Sequence, residues 1–142
     1  MKKTFLLFII ALFVVSCEGP MGPEGPQGYG TNWKIIDLEV KSTDWIESTE
    51  NDGSNRYYSC NFLMPEIDAM VYSEGSVISY IVKGTTQQVL PSVRHYENTY
   101  GNMWTQTIDY EFSEGNLDLF VTNSDFAAIP PGDMKVRVVL MW

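Results

Sequence analysis

From residue 31 onward the chain is patterned in twos. Ile36, Leu38 and Val40 alternate with Asp37, Glu39 and Lys41, which predicts a half-buried strand over residues 33–40. Residues 44–48, around Trp45, continue it after a kink. Tyr58, Cys60 and Phe62 form the inward side of a strand over 57–63 that closes at Pro65, and the β-branched and aromatic run 77–82 is another strand. The clearest amphipathic strand sets Trp104, Gln106, Ile108, Tyr110 and Phe112 against Thr105, Thr107, Asp109 and Glu111. Residues 117–122 return from it. Met134, Val136, Val138, Leu140 and Trp142 then line one face of a final strand whose other face starts with Lys135 and Arg137.

Turn residues punctuate these runs. Asp52-Gly53, within Glu50-Asn51-Asp52-Gly53-Ser54-Asn55, suits a tight hairpin. Ser73-Glu74-Gly75-Ser76 and Ser113-Glu114-Gly115-Asn116 are turns, and 123–133, with Pro130-Pro131-Gly132, is a loop. Residues 67–72 read as a short strand or a single helical turn, 84–88 as a loop, Val89-Leu90-Pro91 as ending near an edge, and 92–103 as irregular. No segment carries a long helical period. About seven short strands with this punctuation predict an all-β fold, an antiparallel β-sandwich of immunoglobulin-like or jelly-roll type over 31–142. Residues 72–77 and 112–117 echo each other in kind at every position, which reflects either a structural duplication or two hairpins needing the same turn.

The first thirty residues follow other rules. Lys2 and Lys3 precede an uninterrupted apolar run, 5–15. That is about half of the roughly 20 residues a membrane span needs, and it has the build of a secretory signal over 1–16. The following Val14-Val15-Ser16-Cys17 resembles the lipobox of bacterial lipoproteins, with an aliphatic residue three before the cysteine and a small one just ahead of it. The resemblance implies a diacylglyceryl thioether on Cys17, cleavage before it and acylation of the new amino terminus. The alternatives are an uncleaved anchor, or a cut elsewhere that leaves Cys17 a bystander. Two or more acyl chains, at about 0.8 kcal/mol per buried methylene, make a stable membrane anchor.

Gly19 to Gly28 is three Gly-Pro-x triplets and the start of a fourth, with Met21, Glu24 and Gln27 as x. Glycine at every third position is the collagen signature, because only glycine fits at the triple-helix axis. The segment 17–30 therefore reads as a proline-stiffened polyproline II spacer, of about 35 Å from Gly19 to Gly30, or as a stub for self-association into a trimer. Lipobox, triplets and a β domain of this size together resemble the short-collagen-repeat (Gly-Pro-x) lipoproteins of Gram-negative commensal bacteria. The specific part of the likeness covers the first thirty residues. It implies a lipid-anchored place in the bacterial cell envelope, at the outer membrane, and carries no chemistry.

Charge narrows the partners. The chain carries a net charge of −9, and losing Lys2 and Lys3 with the signal takes it to −11. Such a body disfavours nucleic acid and anionic headgroups, leaving the acyl chains as its membrane contact. If Cys17 is lipidated, Cys60 has no disulfide partner and reads as a buried structural thiol.

Candidate chemistry is sparse. One histidine excludes a multi-histidine metal site. The loop 51–55 lacks the carboxylate spacing and terminal glutamate of a calcium site, so no metal or other cofactor is expected. A Cys60–His95 dyad would need an activated thiol, and nothing local to Cys60 is electropositive. Asp109 and Glu111 share a strand face, which suits a glycosidase pair or, more simply, a solvated face. No catalytic constellation emerges. Four tryptophans and eight tyrosines remain, most at inward positions. Tyr96, Tyr100 and Trp104, in or beside the irregular segment, are the aromatics least explained by burial and the candidate contacts for a glycan or protein ligand. The expected function is a non-catalytic display or binding module, with a glycan-binding accessory lipoprotein and a trimeric structural stalk-head protein as alternatives.

Overall fold

The computed structural model describes residues 30–50 and 52–142. The signal segment, Cys17 and the triplets to Gly28 lie outside the described residues, as does Asn51 of the 50–55 turn. The folded unit runs from Thr31 to Trp142. Its elements are β1 (Trp33–Val40), β2 (Ile46–Ser48), β3 (Tyr57–Leu63), α1 (Ala69–Glu74), β4 (Ser76–Lys83), β5 (Thr86–Val89), β6 (Ser92–Glu97), β7 (Met103–Ser113), β8 (Asn116–Asn123) and β9 (Met134–Met141).

All strand pairs are antiparallel, in two sheets of order β1-β9-β4-β5 and β2-β3-β8-β7-β6. The alternation explains how they share one core. Val77, Ile81, Val136, Val138 and Leu140 point inward from the first sheet, and Tyr58, Cys60, Leu117, Leu119 and Val121 from the second. Each fully buried aliphatic among them contributes about 2 kcal/mol of transfer free energy. Tyr110 joins the sheets by donating from its hydroxyl to the Val77 carbonyl at 2.7 Å. The pairing is nested: β9 returns between β1 and β4, and β8 returns beside β3.

Several expectations need correction. Residues 44–48 do not extend β1. Trp45 is buried, donates from its indole N–H to the Gly132 carbonyl at 3.3 Å, and turns the chain so that β2 joins the opposite sheet. The loop expected at 84–88 holds β5, and the irregular 92–103 holds β6. Both are edge strands with little buried surface, so neither carries the alternation that reveals a strand. Residues 67–72 resolve as a buried Ile67 followed by α1, whose Asp68 cap accepts the Val71 N–H at 2.9 Å. The 72–77 and 112–117 echo is not a duplication. Gly75 closes the helix at φ −92°, whereas Gly115 turns the β7–β8 hairpin at φ +78°.

Candidate functional site

β7, at 11 residues, is the longest strand among the described residues. Ile108, at its middle, is buried in the core, but Trp104 and Gln106 on the same face are only half-buried. Residues from the 123–132 connection line the same cleft as Trp104 and Gln106. The connection is fixed where it leaves β8: the Ser124 N–H donates to the Thr105 carbonyl at 2.8 Å, and the Thr105 N–H to Ser124 Oγ at 2.9 Å.

The result is a cleft of about 420 Å³ lined by Asn98, Asn102, Trp104, Gln106, Asn123 and Asp125, and floored by the loop 127–132. That size falls within the range of small-molecule sites, about 300–1,000 Å³. Its one aromatic wall residue is Trp104, which a register partner outside the lining braces. Tyr96 stands directly opposite Trp104 in the β6–β7 ladder, and their rings stack at 5.5 Å between centroids and 18° between planes. The polar wall is rich in amides. Gln106 Nε2 donates to Asn123 Oδ1 at 3.2 Å, which holds two amide side chains side by side with Asn123 itself almost fully buried.

Two of the three expected aromatics are thus brought together. Tyr100 is not: it sits at the tip of the β6–β7 turn, 88% exposed and outside the cleft lining. That turn is organised by Asn98, whose Oδ1 accepts the N–H groups of Tyr100 and Asn102 at 2.9 and 3.0 Å, with Gly101 at φ +81°. Gln106, Asn123, Asn98, Asn102 and Asp125 were missed by reasoning from the sequence. Asn98-Thr99-Tyr100-Gly101-Asn102 does carry the asparagine and glycine signal of a tight turn. Gln106 and Asn123, two polar residues at inward positions, were the other clue.

Gln106 also borders a second cleft, of about 330 Å³, on the side towards Ile81, Ile108 and Met134. Its rim carries Lys41, Lys83 and Lys135 with Glu39 and Asp133. Lys41 and Lys135 pair with those acids at 3.3–3.7 Å.

The other candidates are not assembled into sites. Cys60 on β3 and His95 on β6 have β8 and β7 between them, three strand spacings or about 14 Å across the sheet, and they are further offset along it, since Cys60 is level with Tyr110 of β7 and His95 with Thr105. His95 is exposed, with Nδ1 2.9 Å from Thr105 Oγ1, and burial pushes the Cys60 thiol pKa up. Asp109 and Glu111 lie on the outer face of the second sheet, beside an open depression shared with Tyr57 and Phe120. Burial first, and then the neighbouring Glu111, raises the Asp109 carboxyl pKa.

No protein-family model matches the chain, and no curated protein or solved structure is significantly similar to it.

Proposed function

We propose that residues 31–142 form a non-catalytic carbohydrate-binding module, held at the bacterial cell envelope by acyl chains on Cys17 and set off from the membrane by the Gly-Pro-x stalk. The observation that carries this reading is the stacked Tyr96–Trp104 pair beside the Gln106–Asn123 amide pair. A pyranose has apolar C–H faces that pack on an aromatic ring and a rim of hydroxyls that both donate and accept. Carboxamides answer both roles, each with two donors and an acceptor. The sandwich is best read as jelly-roll-like, because the first and last strands are neighbours in one sheet. In the immunoglobulin arrangement they fall in different sheets.

The test is a titration of the processed, detergent-solubilised protein with oligosaccharides of several classes, followed by tryptophan fluorescence. At least one class should perturb Trp104 saturably, and Trp104→Ala should abolish the response while Trp104→Phe retains part of it. No response to any class overturns the reading. Detergent partition tests the anchor separately: the protein should enter the detergent phase, and Cys17→Ser should not.

A further inference from the structure

The two outer faces of the sandwich are chemically unlike. Outward positions of the second sheet include Ser59, Asn61, Asp118, Asp109 and Glu111, a polar and acidic surface around Tyr57 and Phe120. On the first sheet, one register row across three strands reads Ile35, Val139, Ile78, with no polar side chain in it. The row beside it places Trp33 against Met141, and across the sheet Tyr80 stands against Val89. Trp33 is 70% exposed, Ile35 49% and Val89 52%. Ile78, Tyr80 and Val139 are half-buried only because strands flank them, since their alternates face the core. Val138-Val139-Leu140-Met141 is therefore apolar towards both faces, the pattern of a strand covered on both sides. Contiguous exposed apolar surface of this kind marks an interaction site.

We propose that this face is buried between three copies of the chain. The number comes from the sequence: Gly19 to Gly28 repeats Gly-Pro-x, a pattern adapted to three strands around one axis, and it ends five residues before Trp33. Three triplets are too few to hold three chains by themselves. A head interface supplies the remaining free energy, and each contact raises the effective concentration for the other. A closed ring requires each copy to meet two neighbours through different surfaces. Trp33 and Ile35 lie on the β1 flank, Tyr80 and Val89 on the β4–β5 flank. Two ion pairs lie within the face, Arg137 to Asp37, bidentate at 2.7 and 3.0 Å, and Lys135 to Glu39 at 3.3 Å, so these charges enter the interface already paired.

This inference is independent of the carbohydrate reading. Sedimentation equilibrium of the processed protein, with detergent micelles in large molar excess over chains, tests it. The native protein should sediment with the mass of three chains, and Trp33→Glu combined with Val89→Glu should shift it to one chain with an unchanged circular dichroism spectrum. Val93→Glu, at an exposed position of the other sheet, should leave three. Should the double variant lose strand signal, Ile35→Lys is read in its place, with the same shift expected. One or two chains for the native protein, or three persisting after the face is charged, overturns the proposal.

Discussion

Tyr96 and Trp104 are direct partners across the β6–β7 ladder, and their rings stack 5.5 Å apart, with Trp104 lining the amide-rich cleft. The pair serves stability and, on the proposed reading, binding, and the two roles can be separated. Tyr96→Ala should cost about 1 kcal/mol of stability, the worth of such an aromatic pair, measured by urea unfolding. It should also weaken any ligand whose binding perturbs Trp104. An unchanged urea midpoint would show that the stack carries no stabilising energy.

Gly75 and Gly115 occupy equivalent places in similar sequences yet resist substitution for different reasons. A Cβ at Gly75 would fall 2.6 Å from the Met141 carbonyl and 2.7 Å from that of Val71, both backbone atoms that cannot swing away. At Gly115 there is open space, but φ is +78°. Gly75→Ala should therefore destabilise by more than Gly115→Ala, for which about 1 kcal/mol is expected. Gly115→Asn should be milder still, since asparagine tolerates the left-handed region. Equal losses for the two alanine variants in thermal melts would contradict this account.

Asp109 is held in the folded state with a raised carboxyl pKa, from burial and from Glu111. The folded protein then binds that proton more tightly than the unfolded chain, so ionisation of Asp109 opposes folding. Asp109→Asn should raise the melting temperature at pH 7. The gain should shrink as pH falls through the folded pKa and vanish below the unfolded one, near pH 4. A gain independent of pH would assign it to something other than charge.

Ser79 is fully buried on the inward face of β4, and its hydroxyl has no hydrogen-bond partner among the described residues. Removing an unsatisfied buried hydroxyl relieves a desolvation penalty, so Ser79→Ala should be neutral or stabilising by about 1 kcal/mol. A loss of more than that in urea unfolding would mean the hydroxyl does find a partner.

Cys60 is 5% exposed, and burial pushes its thiol pKa up. It should resist iodoacetamide in the native protein and react once urea unfolds the chain. Rapid native labelling would restore it as a reactive group.

How much of this was legible beforehand depends on whether a segment has a buried face. β1, β3, β7 and β9 announce themselves by alternation, because each sends alternate side chains into the core, and β4 by its β-branched and aromatic composition, while β8 is read as the return from the turn at Gly115. β5 and β6 give no such signal. As edges with exposed polar residues such as Gln87, Arg94 and His95, they are held mainly by backbone hydrogen bonds to one neighbour, which leave little trace in side-chain identity. The candidate site was visible only in part for the same reason. Trp104 and Tyr96 stood out as aromatics without an evident burial partner, but their partners Gln106 and Asn123 come from different strands, and only the β7–β8 register sets them side by side.

The sequence alone determined the strand-rich class, the turn chemistry and the alternation that divides inside from outside, because these are local consequences of residue type and spacing. The tertiary structure decided which strands became neighbours, that the 123–132 connection closes the Trp104 cleft, and that Trp33, Ile35, Ile78 and Val139 gather on the outward face of the first sheet while Asp109, Glu111 and Asp118 gather on that of the second. Those features depend on pairing between strands distant along the chain. That pairing is selected by the free energy of closing one common core, which no single segment encodes.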